Sequence, residues 1–135
     1  MSCETDAERA VFSVRQGDDW VRRWECAGSG RTYDAASLVV EIRVGDDSSG
    51  RLVASSVADR VPGDDEANPV AAIDLTGPDF EAEPKVIAML IAAADTAPMS
   101  PEADMTIEAE CEVDGAVTTI LRHRWSVAPQ VAVAP

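Results

Sequence analysis

The chain has 135 residues, with 11 Lys plus Arg set against 25 Asp plus Glu for a formal net charge of -14, and 46% of it is hydrophobic. That length suits one domain with its own core, and the apolar share excludes a disordered acidic tail. The charge argues against binding phosphate backbones or anionic lipid surfaces through the bulk field, so no nucleic-acid and no membrane partner is expected.

Residues 1–6 carry neither the positive start nor the apolar stretch of a secretory signal, so synthesis in a cytoplasm is expected. The longest apolar run, 86–94, is bounded by Lys85 and Asp95 and falls short of the roughly 20 residues of a membrane helix. A soluble protein is the expectation.

Period-2 alternation, the signature of half-buried strands, runs through the sequence. In chain order, residues 10–15 alternate weakly through Phe12 and Val14 and end in the polar turn 16–19. Residues 20–26 form the next strand. Residues 37–44 alternate Leu38, Val40, Ile42 and Val44 against Val39, Glu41 and Arg43, then stop at the turn-rich stretch 45–50. Residues 51–57 pair back across it. Residues 59–68 read as an exposed loop and 69–75 as a short strand. The aliphatic run 86–92 suits a buried strand, with a helix as the alternative for part of it, and 95–100 a one-turn helix or corner. Residues 103–113 alternate most strictly, with Met105, Ile107, Ala109, Cys111 and Val113 on one face and Thr106, Glu108, Glu110 and Glu112 on the other. Asp114-Gly115 then supplies the dipeptide favoured in type I′ hairpin turns. Residues 116–127 return, with Val117, Thr119, Leu121, His123, Trp125 and Val127 expected on one face and Thr118, Ile120, Arg122 and Arg124 on the other.

Short strands, frequent turns and no long helical period predict an all-β fold, an immunoglobulin-like antiparallel β-sandwich of seven to eight strands. It occupies residues 10–127, between an N-terminal arm at 1–9 and an extended C-terminal arm at 128–135. That last segment is uncharged and bracketed by Pro129 and Pro135, which favours extended backbone. The three cysteines, Cys3, Cys26 and Cys111, lack the paired spacing of a zinc or redox motif. Free thiols are the default, with a Cys26–Cys111 bridge between facing strands as the exception.

The succession of a short first strand, Gln16-Gly17-Asp18 with Trp20 and Trp24, Tyr33-Asp34 leading into 38–43, a buried run ending in 93–97, the Asp114-Gly115 hairpin and a last strand carrying Leu121-Arg122 resembles small immunoglobulin-like virion proteins of tailed bacteriophages. The N-terminal domain of phage baseplate upper proteins is similar. The likeness spans residues 11–127, and the acidic segment 59–83 is an insertion relative to it. It implies a non-enzymatic structural protein, made in the bacterial host cytoplasm and carried on the virion in multiple copies. The implied place is the tail tip or baseplate as a minor tail component, with capsid decoration on the head exterior as the alternative. The implied partners are other virion subunits.

His123, the only histidine, shares a strand face with Leu121 and Trp125, as a core-edge imidazole does. No serine or cysteine sits in a nucleophile elbow and no glycine-rich loop cradles phosphate, so no catalytic residue, cofactor or metal site is assigned. The acidic groups Asp18-Asp19, Asp46-Asp47 and Asp64-Asp65-Glu66 lack the spacing of a calcium loop. Asp64, Asp65 and Glu66 are instead candidate contacts for a basic surface on a partner, and Pro129, Val131 and Val133 for docking of the tail. Trp20 and Trp24, four residues apart and so about 13 Å along one strand face, fit either the core or a surface aromatic platform for sugar. A carbohydrate-binding adhesion module is the alternative that the platform would serve.

Overall fold

A computed structural model describes residues 12–26, 30–45, 49–57, 70–76, 79–81, 85–101 and 104–129. They are mostly β, arranged as two sheets in a sandwich-like fold. The strands are β1 (Phe12–Arg15), β2 (Trp20–Cys26), β3 (Val39–Val44), β4 (Leu52–Ser55), β5 (Ala71–Ala72), β6 (Asp74–Leu75), β7 (Lys85–Ile91), β8 (Met105–Val113) and β9 (Ala116–Ala128). A one-turn helix, α1 (Ala93–Thr96), follows β7, and a 3-10 turn at Ala35–Ser37 precedes β3. The larger sheet has the order β1-β9-β8-β3-β4-β5 and the smaller β2-β7-β6.

The strict alternation of β8 maps onto the structure: Met105, Ile107, Ala109, Cys111 and Val113 are buried, while Glu108 meets Arg122 of β9 at 3.3 Å on the outer face. Such an exposed ion pair contributes at most about 1 kcal/mol, so the inner face dominates the energy. β9 departs from simple alternation. Its register against β8 jumps from Leu121 opposite Ala109 to Thr119 opposite Glu110, which leaves Ile120 as the extra residue of a bulge. Ile120 and Leu121 are consequently both buried, and Val117, expected inside, is 73% exposed. Val117 and Thr119 lie opposite the outward Glu112 and Glu110, and Thr118 lies opposite the buried Cys111. A bulge inverts the facing of everything beyond it.

The hairpin turn takes the expected form. Asp114 has φ 52° and Gly115 φ 85°, the pair of positive values that a type I′ turn requires. Gly115→Val is expected to lose about 1–3 kcal/mol, because a β-branched residue resists that backbone region. An unchanged melting temperature would contradict the turn's role.

The inner faces meet over aromatic and aliphatic side chains. Trp20 and Trp24 are 4% and 2% exposed, so they belong to the core and form no surface platform. Their ring centroids lie 6.0 Å apart, and Trp20 also meets Trp125 edge-on at 5.7 Å. The rings thus converge although their backbone positions are four residues apart. Arg22, between them in the alternation, is exposed, as is Val21, because β2 is an edge strand of the smaller sheet.

The turn from β1 to β2 is tied to α1. Thr96 is fully buried; its Oγ1 accepts the Gly17 N–H at 3.0 Å and donates to the Asp18 carbonyl at 2.7 Å. Asp19 Oδ1 accepts the Ala93 N–H at 2.7 Å and caps the first turn of α1. Thr96→Val keeps the shape and strips these hydrogen bonds together with the hydroxyl's 3.1 Å contact to the Ala93 carbonyl, and a loss of about 1–3 kcal/mol in chemical denaturation is expected.

Several expectations need correction. The sheets are not wholly antiparallel: β1 runs parallel to β9, and β4 parallel to β5. Neither pair is joined by a hairpin, so nothing forces antiparallel direction. The short strand expected at 69–75 is two pieces in different sheets. Ala71–Ala72 pairs with β4 and Asp74–Leu75 with β7, and the buried Ile73 between them donates its N–H to the Ser55 carbonyl at 2.9 Å. The run after Lys85 is a strand, and the helical turn begins only at Ala93. The sandwich boundary moves by one residue, because Ala128 still pairs with Arg15. The N-terminal arm, residues 130–135 and the whole of the loop 59–68 lie outside the described residues.

Candidate functional site

At one end of the molecule the segment before β3 is stitched to the β8–β9 hairpin. Asp114 donates its N–H to the Thr32 carbonyl at 2.8 Å and its Oδ1 accepts the Thr32 N–H at 2.9 Å. Tyr33 bridges Val113, and the Asp34 N–H donates to the Glu112 carbonyl at 2.9 Å. Ser37 Oγ accepts the Glu112 N–H at 2.8 Å, while Asp34 Oδ1 accepts the Ala36 N–H at 3.0 Å and caps the 3-10 turn. Asx-type capping of this kind is what a short acidic side chain at a turn supplies.

The other wall comes from the approach to β7. Asp79 and Val86 exchange both backbone hydrogen bonds at 2.8 Å, and Asp79 Oδ1 accepts the Glu81 N–H at 3.3 Å. That turn presses Phe80 against Tyr33, with ring centroids 5.1 Å apart at 42°. Lys85, the first residue of β7, stands opposite Cys26 and is only 7% exposed. Together these segments line a cavity of about 640 Å³ that includes Arg31, Tyr33, Asp34, Phe80, Glu81 and Lys85. The volume falls within the range of small-ligand and side-chain binding pockets. At the rim the Arg31 guanidinium stands 3.5 Å from Asp114, both about half exposed.

Burial sets the titration behaviour beneath the cavity. It pushes the Tyr33 hydroxyl above its ordinary value, with the Cys111 sulfur adding to the rise and Arg31 and Lys85 opposing it. It also pushes the Cys111 thiol up to about 11, with Asp34 adding to the rise. Between pH 9 and 11 the unfolded chain therefore releases this proton before the native one does. The sign is a loss of stability as pH rises through that window. At pH 8 native Cys111 is expected to resist alkylation that the unfolded chain undergoes readily. Rapid native alkylation, followed by mass spectrometry, would contradict its burial.

The cysteine expectations change. Cys26 is disulfide-bonded and Cys111 is a buried free thiol. A sulfur in a disulfide has one partner, so the Cys26–Cys111 bridge does not form, and Cys26 is not a free thiol. Its partner lies outside the described residues.

Of the other residues singled out in the sequence, Asp64, Asp65, Glu66, Val131 and Val133 lie outside the described residues, as do Asp46 and Asp47. Pro129 is exposed just past β9. His123 is half-buried opposite Ile107. Trp20 and Trp24 are buried in the core. Of those described, Pro129, His123, Trp20 and Trp24 do not line the cavity. The sequence reading missed Lys85, Tyr33 and Phe80. The one available signal was that the chain's single lysine directly precedes its most apolar strand.

No protein-family model matches the chain, and no curated protein matches it.

Proposed function

We propose that this chain is a non-enzymatic structural protein of a tailed-phage virion, an immunoglobulin-type sandwich attached at the tail tip or baseplate. The observation that carries the reading is the strand order. Taken as A′, B, C, C′, C″, D, E, F and G, β1 to β9 give one sheet A′-G-F-C-C′-C″ and another B-E-D. Among the described residues this order is similar to that of a variable-type immunoglobulin domain, which supports an immunoglobulin-like reading of the sandwich. The loop end of such a sandwich is where this architecture gathers its binding surfaces.

Separation of purified particles into heads and tails, followed by quantitative mass spectrometry, tests the assignment. The chain is expected with tails at a fixed ratio to a known tail subunit. A fixed ratio to heads instead would make it a decoration protein, and absence from both fractions would overturn the virion reading.

A further inference from the structure

Among the described strands, β2 has β7 as its one neighbour. In β7, Val86 exchanges hydrogen bonds with Asp79 and the Ala88 carbonyl accepts the Thr76 N–H, so the even-numbered residues of that strand face β6. The odd-numbered ones face β2, where they stand opposite Trp20, Arg22, Trp24 and Cys26. Hydrogen-bonding direction alternates along a strand. Val21, Arg23 and Glu25 therefore turn their N–H and C=O groups to the opposite edge, beside which no described strand stands. All three residues are exposed, and an open edge of this length is a template for another strand.

The cysteines identify the occupant. The chain has three; Cys26 is in a disulfide and Cys111 is a free thiol, which leaves Cys3. Cys26 ends β2, whereas Phe12 lies opposite Trp125, whose ring meets that of Trp20 at the start of β2. A chain bonded at Cys26 and entering β1 at Phe12 therefore travels the length of β2 in the opposite direction. That length is about 20 Å, and the chain from Cys3 to Phe12 reaches at most about 30 Å, so little slack remains.

We infer that residues 3–11 are seated antiparallel on the open edge of β2 and locked there by a Cys3–Cys26 disulfide. The backbone groups of Cys26 face β7, so Cys3 and Cys26 form a non-hydrogen-bonded pair. Such a pair has Cα atoms about 4.5 Å apart, inside the range that a disulfide spans. The sequence has the matching period, since the uncharged Cys3, Thr5 and Ala7 alternate with Glu4, Asp6 and Glu8. In this register Asp6 falls opposite Arg23. Glu4 falls opposite Glu25, an unfavourable pair that the bond beside it holds in place. Bond formation takes one proton and one electron from each thiol; a disulfide oxidant, such as glutathione disulfide, accepts them and leaves as two thiols. Reduction is the reverse and releases the segment from the edge.

The test uses the full chain, oxidised with glutathione disulfide and digested with trypsin without reduction. Mass spectrometry is expected to find the peptide of residues 1–9 linked to that of residues 24–31. Recovery of 24–31 unlinked, or linked to a second copy of itself, would overturn the pairing with Cys3. Amide hydrogen exchange of the undigested chain then reads the edge. In the oxidised protein the amides of Val21, Arg23 and Glu25 are expected to exchange at least about fivefold slower than unstructured amides, the effect of one ladder hydrogen bond at each. In Cys3→Ser these three should approach the unstructured rate, while Arg22 and Trp24, whose amides face β7, stay protected. Unprotected edge amides in the oxidised chain would overturn the seating, whatever the stability of the variant. Unchanged protection in Cys3→Ser, or its loss at Arg22 and Trp24 as well, would overturn the disulfide as a local lock. None of these outcomes depends on where the protein resides in a particle, so this inference and the virion assignment fail separately.

Discussion

Trp125→Ala is expected to lower stability by about 3–5 kcal/mol, the range for removing a large aromatic from a closed core. Trp125 is fully buried, lies opposite Met105 in β9 and meets Trp20 of the smaller sheet edge-on. It therefore joins the two sheets, and its loss leaves a cavity between them that neither backbone can collapse to fill. At this chain length each kcal/mol corresponds to roughly 3–5 °C in melting temperature, so the melt should fall by more than about 10 °C. Trp125→Phe separates ring packing from the indole N–H. That N–H has no acceptor among the described residues, so phenylalanine retains an aromatic contact and discards a buried donor that none of them pairs. Its expected loss is only about 1–2 kcal/mol. A Trp125→Ala protein with an unshifted melt would mean that the sheets are not held by this cluster.

Gly50→Ala is the second large effect. A Cβ at position 50 would lie 1.7 Å from the carbonyl oxygen of Val44, an atom of the backbone with no rotamer to change. The obstacle is fixed on both sides. Val44 donates its N–H to the Arg51 carbonyl at 2.9 Å, and the Arg43 guanidinium donates to the Gly50 carbonyl at 3.0 Å. The β3–β4 connection must open for the methyl group to fit, and a loss of about 2–4 kcal/mol is expected from that displacement. Gly45→Ala is the matched comparison. Nothing lies within 4 Å of a Cβ there, but φ is +84°, so only backbone strain of about 1 kcal/mol is expected. Equal melts for the two variants would show that the clash at Gly50 is relieved by local movement.

The all-β character was legible in the sequence because one face of β8 is uniformly apolar and the other uniformly polar. A half-buried strand writes that pattern directly. The turn at Asp114-Gly115 was legible because few dipeptides accept two positive φ values. The β9 bulge was not, since Ile120 and Leu121 read equally well on either face until the register with β8 is known. The crossing of residues 71–75 between sheets was hidden for a similar reason: two-residue pieces carry no period. The cavity was the least legible feature of all. Tyr33, Phe80 and Lys85 are far apart in the chain and come together only because the hairpin tip holds residues 32–34 across from the Asp79–Val86 bridge. Trp20 and Trp24 showed the opposite case, in which a conspicuous spacing reflected the needs of the core.

The central claim, attachment to a virion, is tested most directly by immunogold labelling of intact particles with antibodies raised against the folded chain. The account predicts gold confined to the tail end of the particle. Particles that carry no label, under conditions where a known tail subunit is labelled, would contradict it.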